Sequence, residues 1–357
     1  MKKNLFFAFA LVAALASCSK GGDYKISVTF ADDSANGKTA YLTSYDSGDT
    51  IDSAVVANRS AEFQGKAEES YFSRLIVDGS RMGFVVEPGD ISIAWGDQKA
   101  TGTALNEKLN KCNEELNAIE EEYGKLQEKL EKGEITEDQY DAAVSNVDKK
   151  ESDCFYKVYA DNKDNGIGPW AFNYYLMLND FTVAQIDSLL SESPKTYSSL
   201  KRVEKSKSDA KQKELTGVGK KITDFSIKTE DGKTIKLSDY VGKGEYVVVD
   251  FWASWCGPCR KAIKEALKPI HDKYAGKGLK VLGVAVWDAP ADTRKAIEDL
   301  QIPWDVMIGD KKLTEPTDLY GVSGIPHIMI VDPQGVIVSR GLDGKELISK
   351  VDELMKK

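Results

Sequence analysis

The chain has 357 residues, with 48 Lys and Arg against 57 Asp and Glu, a formal net charge of −9, and 41% hydrophobic residues. That composition excludes a disordered or fibrous chain, and the length suffices for two or three domains, each with its own core. No segment carries more than a marginal basic surplus, which argues against nucleic acid as a partner, and two histidines, His271 and His327, are too few for a His-rich metal site or haem ligation. The charge is uneven: residues 217–357 hold 22 basic and 21 acidic residues, so a net −10 belongs to residues 1–216. There are five cysteines, and the odd number calls for an explanation.

Met1-Lys2-Lys3 followed by the apolar run 5–16 has the layout of a signal peptide, too short to span a bilayer stably. The run ends Leu15-Ala16-Ser17-Cys18, which resembles the lipobox of bacterial lipoproteins. That resemblance implies a leader over 1–17, lipid on Cys18 and a tether over 18–23, holding the protein on the periplasmic side of a membrane. Ser19 after Cys18 is not the aspartate associated with inner-membrane retention, so the outer membrane is favoured. Export also lets disulfides persist.

Residues 24–102 read as a β-rich domain. Period-two runs such as Tyr24-Lys25-Ile26-Ser27-Val28-Thr29-Phe30 alternate with turn signals at Asn36-Gly37, Asp78-Gly79 and Pro88-Gly89. About seven short strands predict a small antiparallel sandwich, with no cluster of catalytic residue types. Its reading as a recognition module or as a spacer stays open.

Residues 103–215 form a helical region and linker. Leu105, Leu109, Cys112, Leu116, Ile119, Tyr123, Leu126 and Leu130 recur at helical spacing, the pattern breaks near Gly133, and Thr136-Glu137-Asp138-Gln139 opens a second helix. Cys112 and Cys154 are equidistant from Gly133, so an antiparallel hairpin makes them neighbours. They are a candidate structural disulfide or two separate core thiols, since bridged Cα atoms must approach more closely than helix packing usually allows. Aromatic residues around 170–176 read as core, and 191–215 as a linker or solvated helix.

From residue 216 the pattern becomes β/α alternation. Tyr246-Val247-Val248-Val249-Asp250-Phe251-Trp252 is an apolar strand of the kind buried on both faces. It leads into Trp255-Cys256-Gly257-Pro258-Cys259 and then a helical pattern. A helix start supplies unpaired N–H groups and partial positive charge, both of which stabilise a Cys256 thiolate; Cys259 follows within one turn, and Pro258 sits where a missing N–H costs little. Arg260 after the motif excludes c-type haem attachment, and the cysteines and histidines offer no further ligands at zinc spacing.

The segment Asp250-Phe251-Trp252-Ala253-Ser254-Trp255-Cys256-Gly257-Pro258-Cys259 closely resembles the thioredoxin superfamily, and Gly324-Ile325-Pro326 before the strand at 327–331 is a second match. The extra helix and strand at 292–300 and 304–308, with the lead-in from Asp224 to Tyr240, resemble TlpA/ResA-like exported thiol–disulfide oxidoreductases. That resemblance implies an α/β thioredoxin-like domain over 216–357 with a mixed sheet flanked by helices. It implies a Cys256 nucleophile, a resolving Cys259, Asp250 as the buried proton carrier, a cis Ile325–Pro326 peptide against the dithiol, and Trp255 as its shield. His327 stands where thioredoxins usually have Thr, near the site or surface-facing. Two departures are the lack of a lysine near Asp250 and Ala262 where a glutamate is common. The lead-in also resembles peroxiredoxins, but neither cysteine has their Thr/Ser three residues back and Pro seven back.

The sequence therefore predicts a lipid-anchored thiol–disulfide oxidoreductase. It needs no cofactor or metal, acts on disulfide-containing exported proteins, apocytochromes c of cytochrome c biogenesis among them, and is re-reduced by a membrane electron donor. Gly257-Pro258 is the dipeptide of reducing thioredoxins, which predicts the reductive direction. The alternatives are a redox-sensing or ligand-binding lipoprotein and a disulfide isomerase.

Overall fold

A computed structural model describes residues 21–342 and 344–356, so Cys18 and the leader lie outside the described residues. Two compact units divide the chain: one ends at Asn179 and includes Ser193–Arg202, and the other holds Asp180–Glu192 and Val203–Lys357.

The first unit opens with strands β1 (Gly22–Thr29), β2 (Thr39–Ser44), β3 (Thr50–Val55), β4 (Ser60–Ala67), β5 (Tyr71–Val77), β6 (Ser80–Val86), β7 (Gly89–Ala94) and β8 (Lys99–Thr101), one more than expected. They form two four-stranded sheets, β4-β1-β7-β8 and β3-β2-β5-β6. Inward side chains of both sheets, among them Ile26, Phe63, Ile91, Leu42, Leu75 and Phe84, share one core. All pairings are antiparallel except β1 with β7, which run parallel. Local turn chemistry dictates hairpins but leaves the partner of a sequence-remote strand undetermined, so only the consecutive pairs β2 with β3, β5 with β6 and β7 with β8 were readable from turns.

Helices α1 (Ala104–Glu131) and α2 (Glu137–Ala160) form the expected hairpin, turning through Gly133 at φ 71°. Glu87 accepts from the N–H groups of Leu105 (2.7 Å) and Asn106 (3.3 Å), satisfying donors that α1 cannot pair internally. The buried Asn106 side chain accepts from Val85 N (3.0 Å) and donates to Val85 O (2.7 Å), completing the backbone pairing of β6. Thr136 and Gln139 form a reciprocal capping box on α2. Helix α3 (Ile167–Leu178) supplies Trp170 and Phe172 to an aromatic core with Phe155, Tyr159 and Tyr197, as the sequence predicts.

Cys112 and Cys154 are free thiols, each half-buried and close enough for Cys112 to raise the pKa of Cys154. The expected proximity is present and the candidate disulfide is not. Helix axes pack ~8–10 Å apart, whereas bridged Cα atoms stand ~4.4–6.8 Å apart, so two helices at ordinary spacing keep facing thiols unbonded.

The second unit contains α4 (Val183–Ser191), most of α5 (Lys201–Leu215) and the β/α segment. After the hairpin of β9 (Ser226–Lys228) and β10 (Thr234–Lys236) come β11 (Tyr246–Trp252), α6 (Gly257–Ala262), a π turn (Ile263–Leu267), α7 (Lys268–Tyr274), β12 (Leu279–Ala285), α8 (Pro290–Leu300), β13 (Val306–Met307), α9 (Glu315–Tyr320), β14 (His327–Val331), β15 (Ile337–Arg340) and α10 (Gly344–Leu354). The mixed sheet runs β13-β12-β11-β14-β15, with β11, β12 and β13 parallel and β14 and β15 antiparallel. The π turn precedes Pro269, whose ring and missing N–H disturb an α-helical ladder at that point.

Helix α5, read from sequence as linker or solvated helix, buries Val203 and Asp209. Lys205 bridges Asp209 (2.6 Å) and Asp318 (3.1 Å), and Thr216 Oγ1 donates to Gln212 O (2.6 Å). Gly321, at φ 61°, leaves room for α5: a Cβ there would stand 2.3 Å from Asp209 O. Gly321→Ala should therefore lower stability by about 2 kcal/mol, read as a fall in the thermal midpoint of the full chain. An unchanged midpoint would show that α5 gives way without cost.

Candidate active site

Strand β11 is buried from Val247 to Trp252, and its side chains alternate between two cores. Val247, Val249 and Phe251 join one core, with Tyr320 and Met329. Val248 and Trp252 join the other, with Cys256, Cys259, Ile263 and Leu267. Asp250 falls in the second set by period, on the face covered by the dithiol helix.

Cys256 caps the first turn of α6, with extended backbone and its Sγ accepting the N–H of Cys259 at 3.1 Å. Gly257 and Pro258 fill that turn, and α6, the π turn and α7 continue as one helix to Tyr274. The dithiol is oxidised, with Cys256 bonded to Cys259 and Cα atoms 5.3 Å apart. Cys256 is 4% exposed and Cys259 is fully buried, so of the two residues only Cys256 keeps any exposure. The Ile325–Pro326 peptide is cis, and Ile325 O lies 3.7 Å from Cys256 Sγ. Two segments separated by 69 residues thus meet at one sulfur.

Asp250 is 1% exposed, and its Oδ1 has no hydrogen-bond partner among the described residues. Its neighbour across the ladder on β12 is Gly283, so no cation compensates from that position. Burial pushes its pKa up to about 8. Trp255 is 62% exposed beside the dithiol, and its indole N–H donates to Trp287 O at 3.1 Å.

Three supporting residues went unread in the sequence. Asp288 is buried and accepts from Ser254 N (2.7 Å), Ser254 Oγ (3.0 Å), Thr293 Oγ1 (2.9 Å) and Ala289 N (3.0 Å), tying the loop before Cys256 to the start of α8. An Asp two residues before Pro290 is a readable helix-start signal. Trp287 holds φ 56°, costly for a bulky residue, and its indole N–H donates to Thr317 Oγ1 at 3.1 Å. Arg340 binds His327, a contact between adjacent strands that no local pattern announces.

Residues 218–340 match the AhpC/TSA family, and residues 24–109 match a domain of unknown function, DUF4369. Residues 218–340 form an AhpC/TSA-family domain with a thioredoxin-like fold. The thiol–disulfide oxidoreductase ResA of Bacillus thuringiensis subsp. konkukian is 26% identical over 146 residues, covering 41% of this chain and 81% of that protein. ResA of Oceanobacillus iheyensis is 31% identical over 124 residues, 34% of this chain and 62% of that one. Among solved structures, the thioredoxin domain of a thiol–disulfide oxidoreductase from Bacteroides vulgatus is 30% identical, with 39% of this chain and 98% of that one covered and a TM-score of 0.33. A thiol–disulfide oxidoreductase from Bacteroides fragilis is 29% identical, with 38% and 99% covered and a TM-score of 0.34. The chain is a thiol–disulfide oxidoreductase. The segment that matches the AhpC/TSA model carries the Cys-x-x-Cys dithiol and lacks the Thr/Ser and Pro spacing of a peroxidatic cysteine.

The Asp250 shift has a measurable consequence. The folded protein binds this proton more tightly than the unfolded chain, whose carboxyl titrates near 3.8. The stability tied to the neutral carboxyl is therefore complete below pH ~4 and lost as pH rises towards 8. Asp250→Asn should be increasingly more stable than the wild type across that interval, the gap widening by on the order of 5 kcal/mol. Denaturant unfolding of the oxidised proteins at pH 5 and pH 8 checks it, and a gap independent of pH would contradict a buried, titrating Asp250.

Proposed function

We propose that this chain is a lipid-anchored reductase of disulfides in exported proteins. The observation that supports it most is the half-hidden dithiol: Cys256 at a helix start beneath a cis-proline loop, Cys259 fully buried behind it, and an unpaired buried Asp250 on the same sheet face. In this reading residues 1–17 are the leader, Cys18 bears lipid, 18–23 are the tether, 24–102 and 103–215 are accessory, and 216–357 are catalytic. The protein stays outside the cytoplasm, on the outer membrane in preference to the inner.

The reduced Cys256 thiolate, favoured by the N–H of Cys259 and the helix start, attacks one sulfur of the substrate disulfide. The other substrate sulfur leaves as a thiolate, which takes a proton from solvent, and a mixed disulfide remains. Cys259 then gives up its proton to the ionised fraction of Asp250, which grows as pH rises towards 8, and attacks Cys256. The second substrate thiol is released and the Cys256–Cys259 disulfide forms, so two electrons have passed to the substrate. A membrane electron donor returns the dithiol to its reduced state. Apocytochromes c are within the substrate class, since their paired thiols must be reduced before haem attachment.

Insulin reduction in dithiothreitol should be accelerated by the wild type and not by Cys256→Ser. Cys259→Ser should accumulate mixed disulfides that name the partners directly, and Asp250→Asn should slow resolution by roughly 100-fold near neutral pH. The Cys256–Cys259 couple should lie near −270 mV; a value near −120 mV would make the protein an oxidant and overturn the reductive direction.

A further inference from the structure

Beside the cis-proline loop lies a cleft of about 360 Å³ lined by Asp180, Lys213, Ser323, Gly324, His327 and Arg340. It belongs to the redox edge of the sheet: His327 opens β14 directly opposite Phe251, near the end of β11, and Ile325 O touches the nucleophile.

The polar groups of this cleft are arranged in an unusual way. The Arg340 guanidinium donates through Nε and Nη2 to His327 Nε2 (3.2 and 3.0 Å), through Nη1 to Thr216 O and Oγ1 (3.0 and 2.9 Å), and through Nη2 to Tyr320 O (2.9 Å). Every one of these acceptors is neutral. Asp180, the carboxylate in the lining, is already in contact with Lys213. The lining thus carries one positive charge more than it neutralises.

Arg340 also dictates the state of the imidazole. An Nε2 that accepts from a guanidinium carries no proton, so the neutral ring holds its hydrogen on Nδ1. Burial, then Arg340, then Lys213 lower the His327 pKa to about 4, against a smaller opposing effect of Asp180. Among the described residues the hydrogen bonds of the imidazole are those at Nε2, and the ring is flanked by Phe251 at 6.2 Å between centroids. A donor of fixed tautomer, an excess positive charge and an open volume therefore coincide at the end of the sheet that carries the cis-proline loop, two residues from Ile325, whose carbonyl touches Cys256.

We propose that this cleft is a specificity subsite that receives the carboxylate of a Glu or Asp close to the disulfide cysteine of the substrate polypeptide, with His327 Nδ1–H donating to it and Arg340 acting as the positioning residue that fixes the ring. The inference rests on the reading of the chain as a protein-disulfide reductase and names what distinguishes its substrates.

The test uses the full chain and two synthetic disulfide-bonded peptides that differ only in Glu or Gln two residues from a cysteine. The wild type should prefer the Glu peptide about tenfold in kcat/KM, expressed in KM, with the preference shrinking as salt rises. His327→Ala should bring the ratio to one, and His327→Gln, which retains an N–H donor, should restore part of it. The preference should hold from pH 5.5 to 8, because the peptide carboxylate and the neutral ring both keep their charge state there; a preference that fades through pH 6–7 would mean an imidazolium and would overturn the assignment. Long-range proton–nitrogen NMR on this two-histidine chain provides a readout free of turnover and of any variant: His327 should be the Nδ1–H tautomer, and the Nε2–H tautomer would refute the arrangement. A wild-type ratio of one with insulin still reduced overturns the subsite alone. Failure on insulin and both peptides refutes the reductase reading and the subsite with it.

Discussion

The structure of the catalytic unit depends on one constraint: a seven-residue strand, Tyr246–Trp252, that has to be covered on both faces. Six of its residues are apolar or aromatic, so each face demands a layer of its own. The dithiol helix meets that demand on one side, and Phe225, Tyr320 and their neighbours meet it on the other. Because the helix that covers the strand also follows directly from its end, the first helical turn has to lie at the sheet edge. Cys256 occupies that turn. The reactive sulfur sits where it does because apolar burial left the chain one direction to go.

The same constraint explains why Asp250 is expensive. It is the single charged type in the run, and coverage of the strand buries it with Gly283 opposite and, among the described residues, no hydrogen-bond partner for Oδ1. A desolvated carboxyl without a partner stays protonated to an unusually high pH, and in the proposed mechanism its ionised fraction takes the proton of Cys259 in a closed space. On that proposal, burial that would be a fault in a structural strand serves the chemistry.

Much of this was legible in the residues themselves. The continuous apolar run, the Cys-x-x-Cys at its end and the helical period after it determine strand, turn and helix through local rules, and Gly324-Ile325-Pro326 identified the facing loop by resemblance. Sequence-remote partners were not legible. The parallel pairing of β1 with β7, the packing of α5 through Lys205 on Asp318 and Thr216 on Tyr320 O, and the clasp of Arg340 on His327 all depend on polar or backbone contacts between distant residues. Hydrophobic periodicity carries no information about such contacts, and α5, with few apolar positions, looked like a linker for that reason. The Cys112–Cys154 pair was intermediate: symmetry about Gly133 predicted adjacency, while bond formation depends on a distance that period alone does not specify.

Asp250 and His327 occupy neighbouring rungs of adjacent strands, since Asp250 is opposite Ile328 and His327 opposite Phe251. Alternation turns them to opposite faces of the sheet. Both are desolvated, and desolvation moves them in opposite directions: the acid to about 8, the base to about 4. Each is therefore neutral through the middle of the pH range, and the burial is the same physical cause acting on opposite charge types. The difference lies in what surrounds them. Asp250 has no compensating partner and titrates close enough to neutrality to exchange a proton with a thiol. His327 is clasped by a guanidinium that disfavours a second positive charge, so its proton stays on one nitrogen. One edge of the sheet thus holds a mobile proton on the dithiol face and a fixed donor on the other, a separation in which acid–base events at the sulfur leave the recognition groups unchanged.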